Sequence, residues 1–140
     1  METITLYRPV GLKELELISN ANYQAFPPRL FWQPIFYPVL NEAYASQIAA
    51  EWNTKDEFSG YCGIVVEFDL HKEYFLKQNV QNVGGEIHNE LWIPADELAA
   101  FNQNIIGPIR ITKAFFGEAF TFPKNDVVTQ KLIAVKNGNV

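Results

Sequence analysis

The feature that most constrains the fold is the stretch 60–70, where Ile64-Val65-Val66 lies between Cys62 and the apolar pair Phe68 and Leu70. Three successive β-branched residues favour an extended backbone. Neighbouring side chains on a strand point to opposite faces, so such a run needs apolar cover on both sides. This strand therefore belongs at the centre of a sheet. Cys62 reads as a buried, inert thiol within it. It is the sole cysteine, which excludes an internal disulfide and leaves too few ligands for a structural zinc site.

The other segments can be arranged around that strand. Residues 3–8 alternate, with Ile4 and Leu6 on one face and Thr5 and Tyr7 on the other, and Pro9 follows Arg8 at the strand's end. Leu12, Leu15, Leu17 and Ile18 recur near helical spacing, which predicts a helix over 11–20 that stops at Asn20 and Asn22. Phe26, Phe31 and Trp32 fall among Pro27, Pro28, Arg29 and Pro34 with no period. Residues 22–34 are thus a loop, and its aromatics are expected to plug the core edge rather than line a pocket. A short strand over 35–40 leads to Asn41, a good N-cap, and to a helix over 42–52 that buries Tyr44, Ala45, Ile48, Ala49 and Trp52. Residues 53–59 read as a polar surface turn.

After the central strand the pattern predicts a short helix near 71–76 and strands over 80–83 and 86–94. A helical turn or two over 94–101 follows, then a long strand over 105–116 paired with the central one. Residues 117–140 read as an extension of the same domain, either a further hairpin strand near 132–135 or a loose tail. A chain of 140 residues fits one domain with one core. The expected class is α+β, with split, antiparallel mixed sheets of about six short strands and three or four short helices.

Hydrophobic residues make up 48% of the chain and aromatics 14%, the composition of a globular protein. The formal net charge is −5, and Lys and Arg never cluster beyond a pair, which argues against duplex nucleic acid as a partner. No apolar run approaches the ~20 residues of a membrane helix, and Glu2 stands where a signal peptide would carry basic residues. A soluble, cytoplasmic protein is the expectation.

The stretch with chemical interest is Glu86-Ile87-His88-Asn89-Glu90-Leu91-Trp92-Ile93-Pro94. Extended, it places Glu86, His88, Glu90 and Trp92 on one face and Ile87, Leu91 and Ile93 on the other. Gly84-Gly85 lets the chain turn into it, and Pro94 ends it. A carboxylate set between an imidazole and an indole can stabilise a cationic, sugar-like transition state, which singles out Glu90. Arg8 offers a planar fork suited to phosphate. His71 and His88 lack metal-ligand spacing, and a divalent site on Glu86, His88 and Glu90 would lack further ligands, so no metal is expected. Phosphate-loop and dinucleotide fingerprints are absent.

The order of these segments resembles the ADP-ribosyltransferase family, small split-sheet domains that grip NAD. Leu6-Tyr7-Arg8-Pro9 with the helix after it resembles the family's first motif. Ile35-Phe36-Tyr37 followed by Asn41-Glu42-Ala43-Tyr44 resembles the second, and Asn89-Glu90-Leu91-Trp92-Ile93-Pro94 the third. The resemblance spans about residues 5–95. The phrases Tyr7-Arg8-Pro9-Val10-Gly11-Leu12, Phe26-Pro27-Pro28-Arg29, Val83-Gly84-Gly85 and Glu90-Leu91-Trp92-Ile93-Pro94-Ala95 also resemble a group of short uncharacterised bacterial proteins that carry the label "ADP-ribosylation/crystallin". Taken literally, that label points to ADP-ribosylglycohydrolases, which are longer, all-helical and metal-dependent, and neither this length nor this strand content suits them.

The resemblance implies NAD, or a related nucleotide, as ligand and substrate, cleaved at nicotinamide by a transferase. Glu90 would be the catalytic carboxylate and Arg8 a phosphate anchor. Phe36 or Tyr37 would stack the nicotinamide, but a one-residue slip turns every strand side chain over, so only one of the two can face a pocket. Tyr44 would be the helix aromatic, and His88 would stand two residues before the catalytic Glu. The Arg-bearing branch of the family also has a Ser-Thr-Ser-like strand, which this chain lacks. The alternative is a non-catalytic binding module on a related fold, with the 26–34 loop as the surface for a protein partner or a second copy.

Overall fold

The structure, a computed structural model, describes residues 2–136. Among these residues, seven strands and five α-helices follow one another as β1 (Thr3–Val10), α1 (Leu12–Asn20), β2 (Ile35–Phe36), α2 (Glu42–Glu51), β3 (Cys62–His71), α3 (Lys72–Leu76), β4 (Val80–Asn82), β5 (Asn89–Leu91), β6 (Ile93–Pro94), α4 (Leu98–Gln103), β7 (Ile105–Phe116) and α5 (Asp126–Lys136). The class is α+β, in a single domain with small antiparallel sheets.

β3 occupies the middle of a three-stranded antiparallel sheet in the order β1-β3-β7. Residues 62–66 are buried without a break, as the run of β-branched residues requires. One face packs on α1, α4 and α5 through Leu6, Val10, Leu15, Ile64, Phe68 and Leu132. Phe26, Phe36, Phe68 and Phe101 stack edge-on or tilted within this core, at centroid separations of 5.0 to 5.8 Å. The other face packs on α2 through Val65, Val39, Tyr44, Ala45 and Ala49. That contact is close because the residues are small: a Cβ on Gly63 would stand 2.3 Å from the carbonyl oxygen of Ala49. Asn41 caps α2 as its sequence position suggests, accepting from the backbone N–H of Ala43 and of Tyr44.

The remaining strands pair as β2-β6 and β4-β5. Val39 joins the latter to the main sheet, because it bridges Tyr7 on one side and Glu90 on the other. Glu67, Tyr7, Val39, Glu90 and Gln81 therefore lie in one cross-strand row. Past Val39 the sheet splits. Pro38 has no N–H to give a ladder, and the strand expected over 35–40 reduces to Ile35–Phe36 paired with Pro94 and Ile93, plus the bridge at Val39.

Three further expectations need correction. The extension after Gly117 is neither strand nor tail but an irregular stretch followed by the helix α5, capped by Asn125 and anchored by Val128 and Leu132. Residues 137–140 lie outside the described residues. The 86–94 strand is shorter than expected, since Glu86 and Ile87 form a turn before β5. Trp52, expected in the core, is 59% exposed, because α2 ends before it. Among the described residues no helix is long and apolar enough to cross a membrane.

Candidate functional site

The split in the sheet opens a cleft of about 580 Å³. Its lining comes from four parts of the chain: Arg8, Gly11, Lys13 and Glu14 at the β1–α1 junction, Arg29, Gln33, Tyr37 and Val39 before α2, Ile48, Trp52, Asn53, Asp56, Phe58 and Ser59 in and after α2, and Glu90 with Trp92. Two strand spacings separate Tyr7 from Glu90 through Val39, so Arg8 and Glu90 sit on backbones roughly 10 Å apart.

Glu90 is held from both sides. It shares a row with Tyr7 and Val39 and therefore faces α2, where the Tyr44 hydroxyl donates to its Oε2 at 2.8 Å. Trp92, two residues on and on the same strand face, donates its indole N–H to Oε1 at 2.7 Å. Glu90 as a whole is 9% exposed. Burial, then the bond to Glu90, pushes the Tyr44 phenol up to about 12, so it remains a donor at neutral pH. This pins the position and orientation of a carboxylate at a cleft wall.

Arg8 lines the same cleft but is not an open fork. Its Nε and Nη2 clasp both oxygens of Glu14 at 2.6 and 2.8 Å, Nη1 donates to the Tyr37 carbonyl at 3.2 Å, and the guanidinium covers the Phe36 ring at 4.5 Å. Arg8 thus organises the floor and fixes the backbone of Tyr37. Arg29, which also lines the cleft, donates to the Ile35 carbonyl. Burial and the neighbouring charge of Arg8 lower its affinity for its proton.

The other candidates divide. Tyr37 is 42% exposed and faces the cleft, its ring set edge-on to Trp92 at 6.4 Å. Phe36, 1% exposed, belongs to the core, so it cannot stack a ligand; the alternation of the strand allowed one of the pair, and it is Tyr37. Tyr44 reaches the site through its hydroxyl on Glu90, not as a lining ring. His88 stacks on Tyr44 at 4.6 Å, bonds Gln47 at 2.9 Å and accepts from the Gly85 N–H, which keeps it out of the lining. Glu86 is exposed in its turn. Among the described residues no three His, Cys, Asp or Glu side chains gather into a group that could hold a metal ion.

Sequence reasoning passed over Trp52, Asn53, Asp56, Phe58 and Ser59, treated as a core residue and a polar surface turn. Trp52 precedes, and Asp56 links, two 3-10 turns, Asn53–Lys55 and Glu57–Ser59, and this segment closes one end of the cleft. Asn53 and Ser59 are buried there, with Asn53 Nδ2 donating to Ser59 Oγ at 2.9 Å and Ser59 donating to Asp56 at 2.6 Å. A Cβ on Gly11 would stand 2.7 Å from Ser59 Cα, so the β1–α1 turn rests directly on this corner. The signal that could have found it is the pair Trp52 and Phe58 flanking Asn53 and Asp56, polar residues between large aromatics beside a helix end.

No protein-family model, curated protein or solved structure matches this chain.

Proposed function

We propose that the cleft binds NAD or a related nucleotide and that Glu90 promotes cleavage at nicotinamide. The observation that carries this reading is the nearly buried carboxylate of Glu90, oriented by Tyr44 and Trp92 in a cleft that also holds Arg8 and the exposed ring of Tyr37. A cleft of this volume, with aromatic walls and several charged and polar groups, is of the size that takes small ligands. Tyr37 stacks the nicotinamide. Glu90 accepts a hydrogen bond from the ribose 2′-hydroxyl and offsets positive charge as the C1′–N bond breaks, its electron pair leaving with neutral nicotinamide. Water or an acceptor nucleophile then captures the ribosyl cation. Arg8 is occupied by Glu14, so Lys13 and Arg29 supply the charge that faces the phosphates.

The test is release of nicotinamide from NAD, followed by chromatography. Glu90→Gln keeps the acceptor shape and removes the charge, and it is expected to slow release by about a hundredfold, the rate equivalent of ~3 kcal/mol of barrier. Release at an unchanged rate in Glu90→Gln would exclude Glu90 as the catalytic carboxylate. A second reading, a binding module without catalysis, is favoured by the loop tip, where Phe31 is 95% and Trp32 57% exposed.

A further inference from the structure

Glu90 is braced as well as bonded. Tyr44, whose hydroxyl donates to Glu90 Oε2, carries the imidazole of His88 against its ring, with centroids 4.6 Å apart and planes at 35°. His88 precedes Glu90 by two residues, roughly 7 Å along an extended backbone, and both side chains meet the same tyrosine.

Both nitrogens of that imidazole are committed. Nδ1 accepts from the Gly85 N–H at 3.1 Å, which requires a lone pair there and places the proton of the neutral ring on Nε2. Nε2 meets Gln47 Oε1 at 2.9 Å, an acceptor suited to that proton. Tyr44 and Gln47 lie three residues apart on α2 and so present one helix face to the ring. The hairpin turn follows the ring closely, since a Cβ on Gly84 or Gly85 would stand 3.4 or 3.3 Å from Nδ1. Asn82 holds that turn, donating to the Gly85 carbonyl at 2.9 Å and accepting from the Gly84 N–H at 3.2 Å.

The groups that face the imidazole are thus the Tyr44 phenol and Gln47 amide from α2 and the Gly84–Gly85 backbone. Among the described residues no carboxylate pairs with it. The carboxylates nearest in sequence are Glu86, exposed in the turn, and Glu90, taken by Tyr44 and Trp92. A proton added to Nδ1 sets N–H against the N–H of Gly85 and puts a positive charge beside the Tyr44–Glu90 pair. That charge offsets the negative field of Glu90, on which bond cleavage draws as the ribosyl carbon becomes positive.

We infer that His88 is a positioning residue for Glu90, one that holds Tyr44 on the carboxylate as a neutral imidazole and turns the site down when it takes up a proton. This rests on the reading of Glu90 above and adds the group through which pH regulates it.

NMR of the full chain from about pH 8 to pH 5, the range over which an imidazole takes up its proton, follows the His88 ring and the indole N–H of Trp92, which bonds Glu90 Oε1. The Trp92 signal is expected to move with the same midpoint as the His88 ring in the wild-type protein. It is expected to stay flat over that range in His88→Phe, which keeps a ring on Tyr44 and takes up no proton. Over the same range kcat for nicotinamide release from NAD is expected to fall about tenfold with KM unchanged, and His88→Phe to remove that fall. A Trp92 signal that does not follow His88 in the wild-type protein overturns the inference, whether or not NAD is cleaved, and needs no variant. So does a fall in kcat that persists in His88→Phe. Coupling of Trp92 to His88 in a protein that releases no nicotinamide supports the positioning of Glu90 by His88 and overturns the NAD reading instead.

Discussion

Glu90 is the residue on which the site turns, and its two donors can be separated experimentally. The Tyr44 hydroxyl is the buried one, on a ring packed between α2 and β3. Tyr44→Phe keeps the ring and leaves Glu90 Oε2 without that donor, which is expected to cost about 1–3 kcal/mol of stability near neutral pH, measured by urea denaturation. The same residue has an alkaline signature. Its phenol is raised from the ordinary value near 10 to about 12, so the protonated form contributes stability that is complete below pH 10 and is lost as pH rises through 12. Burial raises Cys62 to about 12 as well, which adds a loss that begins near pH 9. The wild-type protein is therefore expected to lose on the order of 2 kcal/mol more than Tyr44→Phe between pH 10 and 12. Parallel stability curves for the two proteins over that window would show that Tyr44 is not buried against Glu90.

At the scale of elements, the most exposed apolar feature is the tip of the loop before β2. Phe31 and Trp32 pack edge to face with centroids 4.9 Å apart, and Leu30 beside them is 41% exposed. Of Phe26, Phe31 and Trp32, expected to plug the core, only Phe26 does so, at 2% exposure. If this tip serves as an association surface, sedimentation should show a concentration-dependent oligomer that Phe31→Ser with Trp32→Ser abolishes; a monomer at all concentrations in both proteins would exclude self-association. The loop shows where sequence reading ends. Periodic segments such as Leu12 to Ile18, and the unbroken run at Ile64-Val65-Val66, declare their burial through spacing. An aperiodic stretch with four aromatics and prolines carries no such rule, and tertiary contacts decide which ring turns inward.

The same limit explains α5. Val127, Val128, Thr129, Ile133 and Val135 are β-branched and weak helix formers, which obscured the helical spacing of Val128, Leu132 and Val135. Burial of Val128 and Leu132 against the core outweighs that preference. For the site, Glu90, Arg8 and Tyr37 were legible because strand alternation and strand ends are local properties. The closure of Arg8 on Glu14 and the corner built by Asn53, Asp56 and Ser59 were not, because both depend on how the β1–α1 turn meets the end of α2. A Ser or Asn in a polar turn gives no local sign that a glycine from another element will rest on it.

For the whole molecule, the architecture sets Glu90 and the aromatic wall at a split that the rest of the fold holds open. β3 anchors helices on both faces, Val39 ties β5 to β1, and Pro38 ends the pairing so that Tyr37 diverges. Arg8 and Glu14, α2 with its Asn41 cap, and Gly11 against Ser59 form the surrounding frame. The cleft is thus built of regular elements at its base and of side chains at its rim, the arrangement expected of a preformed ligand site.

The central claim is that this cleft binds NAD, and the midpoint of thermal unfolding measured against NAD concentration tests it most directly. A ligand that binds the folded state alone at ten times its Kd stabilises by about 1.4 kcal/mol, which for a domain of this size raises Tm by roughly 5 °C. A rise of that order is expected at millimolar NAD, diminished when Tyr37 is replaced by alanine. A Tm that does not move across the titration would contradict it.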